Sequence, residues 1–175
     1  MIKFIQKYLL GSKLRKSKRR VRVANLKISK SALLIYDASN EKEEKLVRQF
    51  ARFLKEEGLK TESVGFYKKK NKTDEGPLDE LGYHYLKKEE LNWLMLPTSS
   101  KVKKMISTEY NLLIDLNLSN IFCLQFISSL SKASFKVGIA DGYQKDTCDL
   151  TISIPARKLE ELIEQMKVYL KMINN

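Results

Sequence analysis

Several residue types that define common kinds of site are scarce in this chain of 175 residues. It has two cysteines and one histidine, which are too few for a disulfide framework or a zinc site, and Cys123 and Cys148 fall in different predicted elements. The turn after the first predicted strand, residues 37–41, contains no glycine, so a loop that binds dinucleotide or triphosphate groups is missing where it would be needed. The lone His84 lies in a polar stretch without catalytic partners. We therefore predict no catalytic residue, no metal ligand, no cofactor and no obligate small molecule.

Long apolar runs are also missing. No window approaches the roughly 20 apolar residues of a membrane-spanning helix. The short apolar stretch at the N-terminus is interrupted by Lys7 and ends at Gly11, whereas a secretory signal needs a continuous stretch of about 7 to 15 apolar residues and a cleavage site. We expect a cytoplasmic protein with reduced cysteines.

Acidic residues are absent from the first thirty positions, which hold seven lysines and four arginines. The remaining residues carry 22 of the 33 basic side chains and all 21 acidic ones, so nearly all of the net charge of +12 belongs to residues 1–30. The surplus charge is a local property rather than one of the whole surface. We predict a basic N-terminal arm over residues 1–30 and a single α/β domain over residues 31–175, which folds without the arm.

The arm has two parts with different patterns. Ile2, Ile5 and Leu9 recur at helical spacing and predict a short amphipathic helix over residues 2–10, with an apolar face that can dock on the domain. Residues 13–22 offer no face to bury and repel one another, so we expect a mobile segment or a solvated helix in the absence of a partner.

The domain alternates strand and helix patterns, which predicts an α/β fold of the Rossmann-like type. We expect an open, mostly parallel sheet of about five or six strands with helices on both faces, preceded by the basic extension. Continuous apolar runs are typical of buried parallel strands. The predicted strands cover residues 31–37, 61–67, 110–116, 135–140 and 149–154, with a short one at 91–96. The predicted helices cover residues 40–58, 99–106, 121–130 and 155–173.

Residues 68–90 are polar and contain Gly76, Pro77 and Gly82, which predicts a long excursion with little regular structure. The excursion begins with a second, smaller group of lysines at positions 68, 69, 70 and 72. We favour a solvated loop over a binding role for this group.

Three carboxylates, Asp37, Asp115 and Asp141, lie at or near the ends of predicted strands. At the carboxyl edge of an α/β sheet, clustered carboxylates can hold Mg²⁺ for chemistry on a phosphate-containing substrate. An aspartate after a strand is also a common turn and helix-cap residue, which is the interpretation we favour. A metal-dependent enzyme is the alternative class of function.

The arm carries the strongest functional signal. Its dense lysines and arginines, with Phe4 and Tyr8 nearby for stacking, match extensions that neutralise RNA phosphates. An anionic membrane surface is the rival partner, because Ile2 and Leu9 belong to an apolar stripe that can insert beside the charges. We favour RNA because the charges extend well beyond that stripe. The prediction is a non-catalytic protein that associates with ribosomal RNA or ribosomal particles and their proteins. The candidate RNA-binding residues are Lys13, Arg15, Lys16, Lys18, Arg19, Arg20, Arg22 and Lys27.

Taken together, residues 91–93, 110–116, 131–138 and the closing helix 159–173 resemble an uncharacterised α/β domain family of Bacteroidota-type bacteria, over most of the chain. More distantly, Leu113-Ile-Asp-Leu116 with its following apolar helix, and Ser134-Phe-Lys-Val-Gly138, are similar to the N-terminal half of heptosyltransferase-like glycosyltransferases. This similarity implies a reused fold without the reaction, because those enzymes need a second, nucleotide-sugar domain for which we expect no room in this chain.

Overall fold

Six parallel strands form one sheet in the computed structural model, which describes residues 1–173. The strands are β1 (Ser31–Asp37), β2 (Lys60–Tyr67), β3 (Tyr83–Lys87), β4 (Leu112–Leu116), β5 (Phe135–Ile139) and β6 (Leu150–Ile152). The helices are α1 (Ile2–Lys16), α2 (Glu41–Glu56), α3 (Ser100–Ser107), α4 (Phe122–Leu130), α5 (Gln144–Thr147) and α6 (Leu159–Met172). The strand order is β3-β2-β1-β4-β5-β6, and every neighbouring pair is parallel. The predicted Rossmann-like α/β class is confirmed.

The centre of the sheet is buried on both faces because β1 and β4 are apolar on both. Leu34 and Tyr36 belong to the core on the side of α2 and α6, whereas Leu33 and Ile35 belong to the core on the side of α3 and α4. Successive side chains of a strand point to opposite faces, so a continuous apolar run fills both layers. This explains why β1 has the bounds that its sequence predicts.

Helix α2 has clear start and stop signals. The Asn40 side chain accepts hydrogen bonds from the backbone N–H groups of Lys42 and Glu43, which caps the N-terminus. Gly58 follows the helix with a φ of +92°, in the left-handed region that favours glycine. Both signals were readable in the sequence, and the helix lies within the predicted range.

Helix α1 is longer than predicted and runs to Lys16. Its buried side packs on the C-terminal half of α4, where Leu10 contacts Phe126 and Leu130 in a small separate core. The buried Gln6 Nε2 donates a hydrogen bond to the Leu94 carbonyl at 3.0 Å. The helix is thus fixed both to α4 and to the loop that precedes α3.

Residues 17–30 have no helix or strand but lie on the domain. The Arg22 N–H donates to the Ser134 carbonyl, and the Leu26 N–H donates to the Leu170 carbonyl near the end of α6. Ala24 and Leu26 are buried in the core on the α2 and α6 side. The division of the chain at residue 30 stays a prediction, but these contacts argue against an arm that the domain can lose without cost.

Two local predictions were wrong. The excursion over residues 68–90 contains β3, a five-residue edge strand that pairs with β2. The polar residues around it gave no strand pattern in the sequence. Residues 91–96 form a turn rather than a strand, because the Asn92 side chain accepts hydrogen bonds from the Leu94 and Leu96 N–H groups. The last helix also begins later than predicted, at Leu159.

Candidate nucleic-acid interface

The side chains of helix α1 are buried where they face the domain and exposed elsewhere. Gln6 and Leu10 face the domain and are buried, while the basic residues of its last turn are exposed. Lys13, Arg15 and Lys16 lie at the end of the helix where the backbone dipole is negative, so the fold stabilises cations there without acidic partners. The helix therefore presents a fixed group of cations.

Arg19 behaves differently from the other candidate residues. Its Nη2 lies 2.5 Å from Asp149 Oδ1, and its Nη1 donates to the carbonyls of Ala133 and Ser134 at 3.3 and 3.2 Å. The second Asp149 oxygen accepts a hydrogen bond from the Lys136 N–H, which fixes the carboxylate. Arg19 is thus an anchor of the segment and is already occupied, whereas the sequence grouped it with the free cations.

Lys132 is a second anchor, which the sequence analysis did not single out. Its Nζ donates to Ser17 Oγ at 2.9 Å and to the Lys18 carbonyl at 2.6 Å. Together with Arg19, it fixes the chain just beyond α1. These contacts join residues more than 110 positions apart, so no local pattern predicts them.

The other seven candidate residues are exposed. Of the eleven basic side chains in residues 1–30, Arg19 is the one that forms an ion pair within residues 1–173. The smaller lysine group differs, because Lys69 pairs with Glu89 and Lys70 pairs with Glu41. We define the basic surface as the seven exposed candidates Lys13, Arg15, Lys16, Lys18, Arg20, Arg22 and Lys27.

The basic surface continues onto α3. Lys13 and Lys103 line the same groove of ≈ 360 Å³, whose apolar floor includes Phe126 and Leu130. Two aromatic rings project from the other end of α1: Phe4 is 77% exposed and Tyr8 is 65% exposed. At i and i+4 they share one side of the helix. Cations to bind phosphates and open rings to stack on bases are thus on one helix.

The three predicted carboxylates have separate structural roles. Asp37 accepts a hydrogen bond from the Ser39 N–H, as a turn residue does, and Asp141 pairs with Arg157. Within residues 1–173, no group of three or more His, Cys, Asp or Glu side chains is arranged to hold a metal ion. The carboxylates therefore do not form the shared site that the enzyme alternative requires.

Asp115 is fully buried in β4. Its oxygens accept hydrogen bonds from the Asn117 N–H at 3.1 Å, the Tyr143 hydroxyl at 2.8 Å and the Gln144 amide at 3.3 Å. Burial raises the pKa of Asp115 to about 6. The group joins the end of β4 to the turn after β5, so it organises the packing there.

His84 is buried in β3 rather than lying in a loop. Its Nδ1 lies 2.6 Å from Asp79 Oδ2, which also binds Lys101 Nζ at 2.7 Å. Its Nε2 lies 3.5 Å from Glu90 Oε1. Through Asp79 the histidine connects the edge strand to the segment that precedes it, whereas its Nε2 forms no hydrogen bond within the described part of the chain.

The fold and the basic surface define a Rossmann-like α/β protein with a cationic N-terminal segment fixed to the domain. The chain belongs to a family of unknown function, DUF6913, which it matches over residues 2–173. No curated protein and no solved structure matches it. No helix within residues 1–173 is long and apolar enough to cross a membrane. The match begins at Ile2, so the basic segment lies inside the region that the family shares.

Proposed function

We propose that this protein binds RNA through the basic surface, with the α/β domain as its scaffold. The observation that carries the proposal is that the seven exposed cations of the basic surface have no acidic partner within residues 1–173, whereas the eighth candidate, Arg19, pairs with Asp149. Unpaired cations on a surface neutralise phosphates and release counterions from the polyanion. The attachment of residues 17–30 to the domain by hydrogen bonds and buried side chains supports a preformed surface, which loses less entropy on binding than a free tail.

The proposed partner is structured RNA, with ribosomal RNA or a ribosomal particle in the cytoplasm as the first candidate. Phe4 and Tyr8 add stacking platforms for unpaired bases, which structured RNA offers in its loops and bulges. A Bacteroidota-type origin and kinship with heptosyltransferase-like glycosyltransferases stay predictions from the sequence, and RNA binding depends on neither.

An anionic membrane is the second candidate partner. Exposed Ile2, Phe4 and Tyr8 lie on α1 beside Lys3 and Lys7, an arrangement that can also insert into a lipid interface. The cations of residues 18–27 favour RNA, because they continue along the domain well beyond this apolar group.

Changing Lys18, Arg20 and Arg22 together to Gln should weaken RNA binding by about 100-fold at about 0.1 M salt. Relative to about 1 M salt, each phosphate contact adds about 0.7 log units of affinity per decade of salt, and three contacts are lost. The three side chains are exposed and unpaired within residues 1–173, so the variant should fold like the parent. The measurement is equilibrium binding to a ribosomal RNA fragment.

The matched control changes Lys42, Lys45 and Arg52 on α2 to Gln. It removes the same net charge from exposed positions outside the basic surface. We expect the control to bind RNA within a few-fold of the parent. Equal weakening in both variants would mean that net charge alone determines binding, and the proposed surface would then be wrong.

A further inference from the structure

A cavity of ≈ 470 Å³ opens at the carboxyl edge of the sheet. Its walls come from the segments that follow β2 and β3, from the turn over residues 91–97, and from the connection between β4 and α4. The strand order reverses at β1 and β4, and ligands of open parallel sheets bind at the carboxyl edge near such a reversal. The volume is in the range of small-molecule sites.

The cavity combines an apolar floor with a cationic rim. Phe66, Met95 and Ile121 supply the apolar surface. Lys69 Nζ lies 2.9 Å from Glu89 Oε1, so that pair is neutral overall. Two further lysines, at positions 68 and 88, line the cavity and form no ion pair within residues 1–173. The lining therefore has an excess of two positive charges beside apolar surface, which suits an anion with an apolar body.

The backbone at Met95 is strained, and its neighbours maintain the strain. Its φ is +57°, a left-handed conformation that non-glycine residues adopt rarely. The Met95 N–H donates to the Asn92 carbonyl, and the Asn92 side chain binds the N–H groups of Leu94 and Leu96. Strained backbone persists where the surroundings over-determine it, and it occurs preferentially at ligand sites. The turn thus holds Met95 in the cavity wall.

The start of α4 adds to the positive field. Ile121 lines the cavity and is also the N-cap of α4, and its own side chain makes no capping hydrogen bond. The partial positive charge of a helix N-terminus favours an anion close by. This contribution supports the lysines of the rim but would not define a site without them.

We propose that this cavity binds a mononucleotide, with its phosphate at Lys68 and Lys88 and its base against Phe66, Met95 and Ile121. The site is distinct from the basic surface, because none of the seven cations of that surface lines the cavity, and Lys13 reaches only the groove on the other side of the turn over residues 91–97. RNA binding and nucleotide binding are therefore independent proposals.

The test is calorimetric titration of the full chain with adenosine 5′-monophosphate, with adenosine and inorganic phosphate as separate arms. We expect saturable binding of the mononucleotide and affinities at least about 10-fold weaker for each fragment, because each makes only part of the contacts. The double variant Lys68→Gln and Lys88→Gln should weaken mononucleotide binding by about 10-fold or more, since it removes both charged contacts.

The matched control is the double variant Lys42→Gln and Lys45→Gln, which has the same charge change on exposed positions of α2 and should bind like the parent. Thermal melts confirm that both variants are folded. Absence of saturable binding, or unchanged affinity in the Lys68 and Lys88 variant, would overturn the proposal. Loss of mononucleotide binding on changing Lys18, Arg20 and Arg22 to Gln would also overturn it, because the mononucleotide would then occupy the basic surface. That result would not contradict the proposal that the basic surface binds RNA.

Discussion

Changing Leu26 to Ala should lower the free energy of unfolding by about 2 to 5 kcal/mol, the usual cost of emptying a buried leucine site. Leu26 is 2% exposed, packs in the core on the α2 and α6 side, and donates its N–H to the Leu170 carbonyl. Removal of residues 1–30 should have a larger effect, because it also uncovers Phe126 and Leu130 on α4. We expect the truncated chain to lose cooperative unfolding.

Ile28 provides the matched control for this prediction. It lies two residues away and is 51% exposed, so Ile28→Ala should change stability by only about 0.5 kcal/mol. Urea denaturation followed by circular dichroism measures all three proteins. A truncated chain over residues 31–175 that unfolds cooperatively at the same urea concentration as the parent would show that the segment is a dispensable arm.

RNA affinity should fall steeply with salt. If about five of the seven cations of the basic surface contact phosphates of irregular RNA, log K against log salt should have a slope of roughly −3.5. Affinity would then drop about 100-fold between about 50 and 200 mM salt. Titrations at several salt concentrations measure the slope directly.

The variants distinguish direct contacts from anchors. Changing Lys18, Arg20 and Arg22 to Gln should reduce the magnitude of the slope by about 2, since three contacts of about 0.7 each are lost. Arg19→Gln should leave the slope almost unchanged, because Arg19 forms an ion pair with Asp149 and is not available to a phosphate. Its loss should lower the free energy of unfolding instead. Equal loss of slope in both variants would show that Arg19 contacts RNA and that its ion pair opens on binding.

The central part of the fold could be predicted from the sequence because its signals are local. The continuous apolar run of β1 fills both layers of the core, and Asn40 and Gly58 mark the start and the end of α2. Strand β3 was missed because five residues at an edge, bordered by charged residues, gain their structure from pairing with β2.

The attachment of residues 17–30 could not be predicted for a related reason. Leu26 stands between Asn25 and Lys27 with no apolar periodicity, so its burial depends on α6 rather than on its neighbours in sequence. The same is true of Arg19, whose partner Asp149 lies 130 positions further along the chain. Charge density located the basic residues of the segment, but it could not separate free cations from anchors.

The residues that line the carboxyl-edge cavity could not be grouped from the sequence. Lys68 belonged to a recognised lysine group, but Lys88, Met95 and Ile121 come from three other segments, and only the fold brings them to one cavity. The strain at Met95 depends on hydrogen bonds that Asn92 accepts, whereas the sequence placed Asn92 in a predicted strand over residues 91–96.

Competition between RNA and membranes tests the proposed function most directly. Full-length protein is first bound to phosphatidylserine-containing vesicles and titrated with a ribosomal RNA fragment, and the reverse titration starts from the RNA complex. If the basic surface binds RNA, excess RNA should remove the protein from the vesicles, and excess vesicles should not remove it from RNA. Retention on the vesicles, or release from RNA by them, would contradict RNA binding and would assign Phe4, Tyr8 and the cations of α1 to a lipid surface instead.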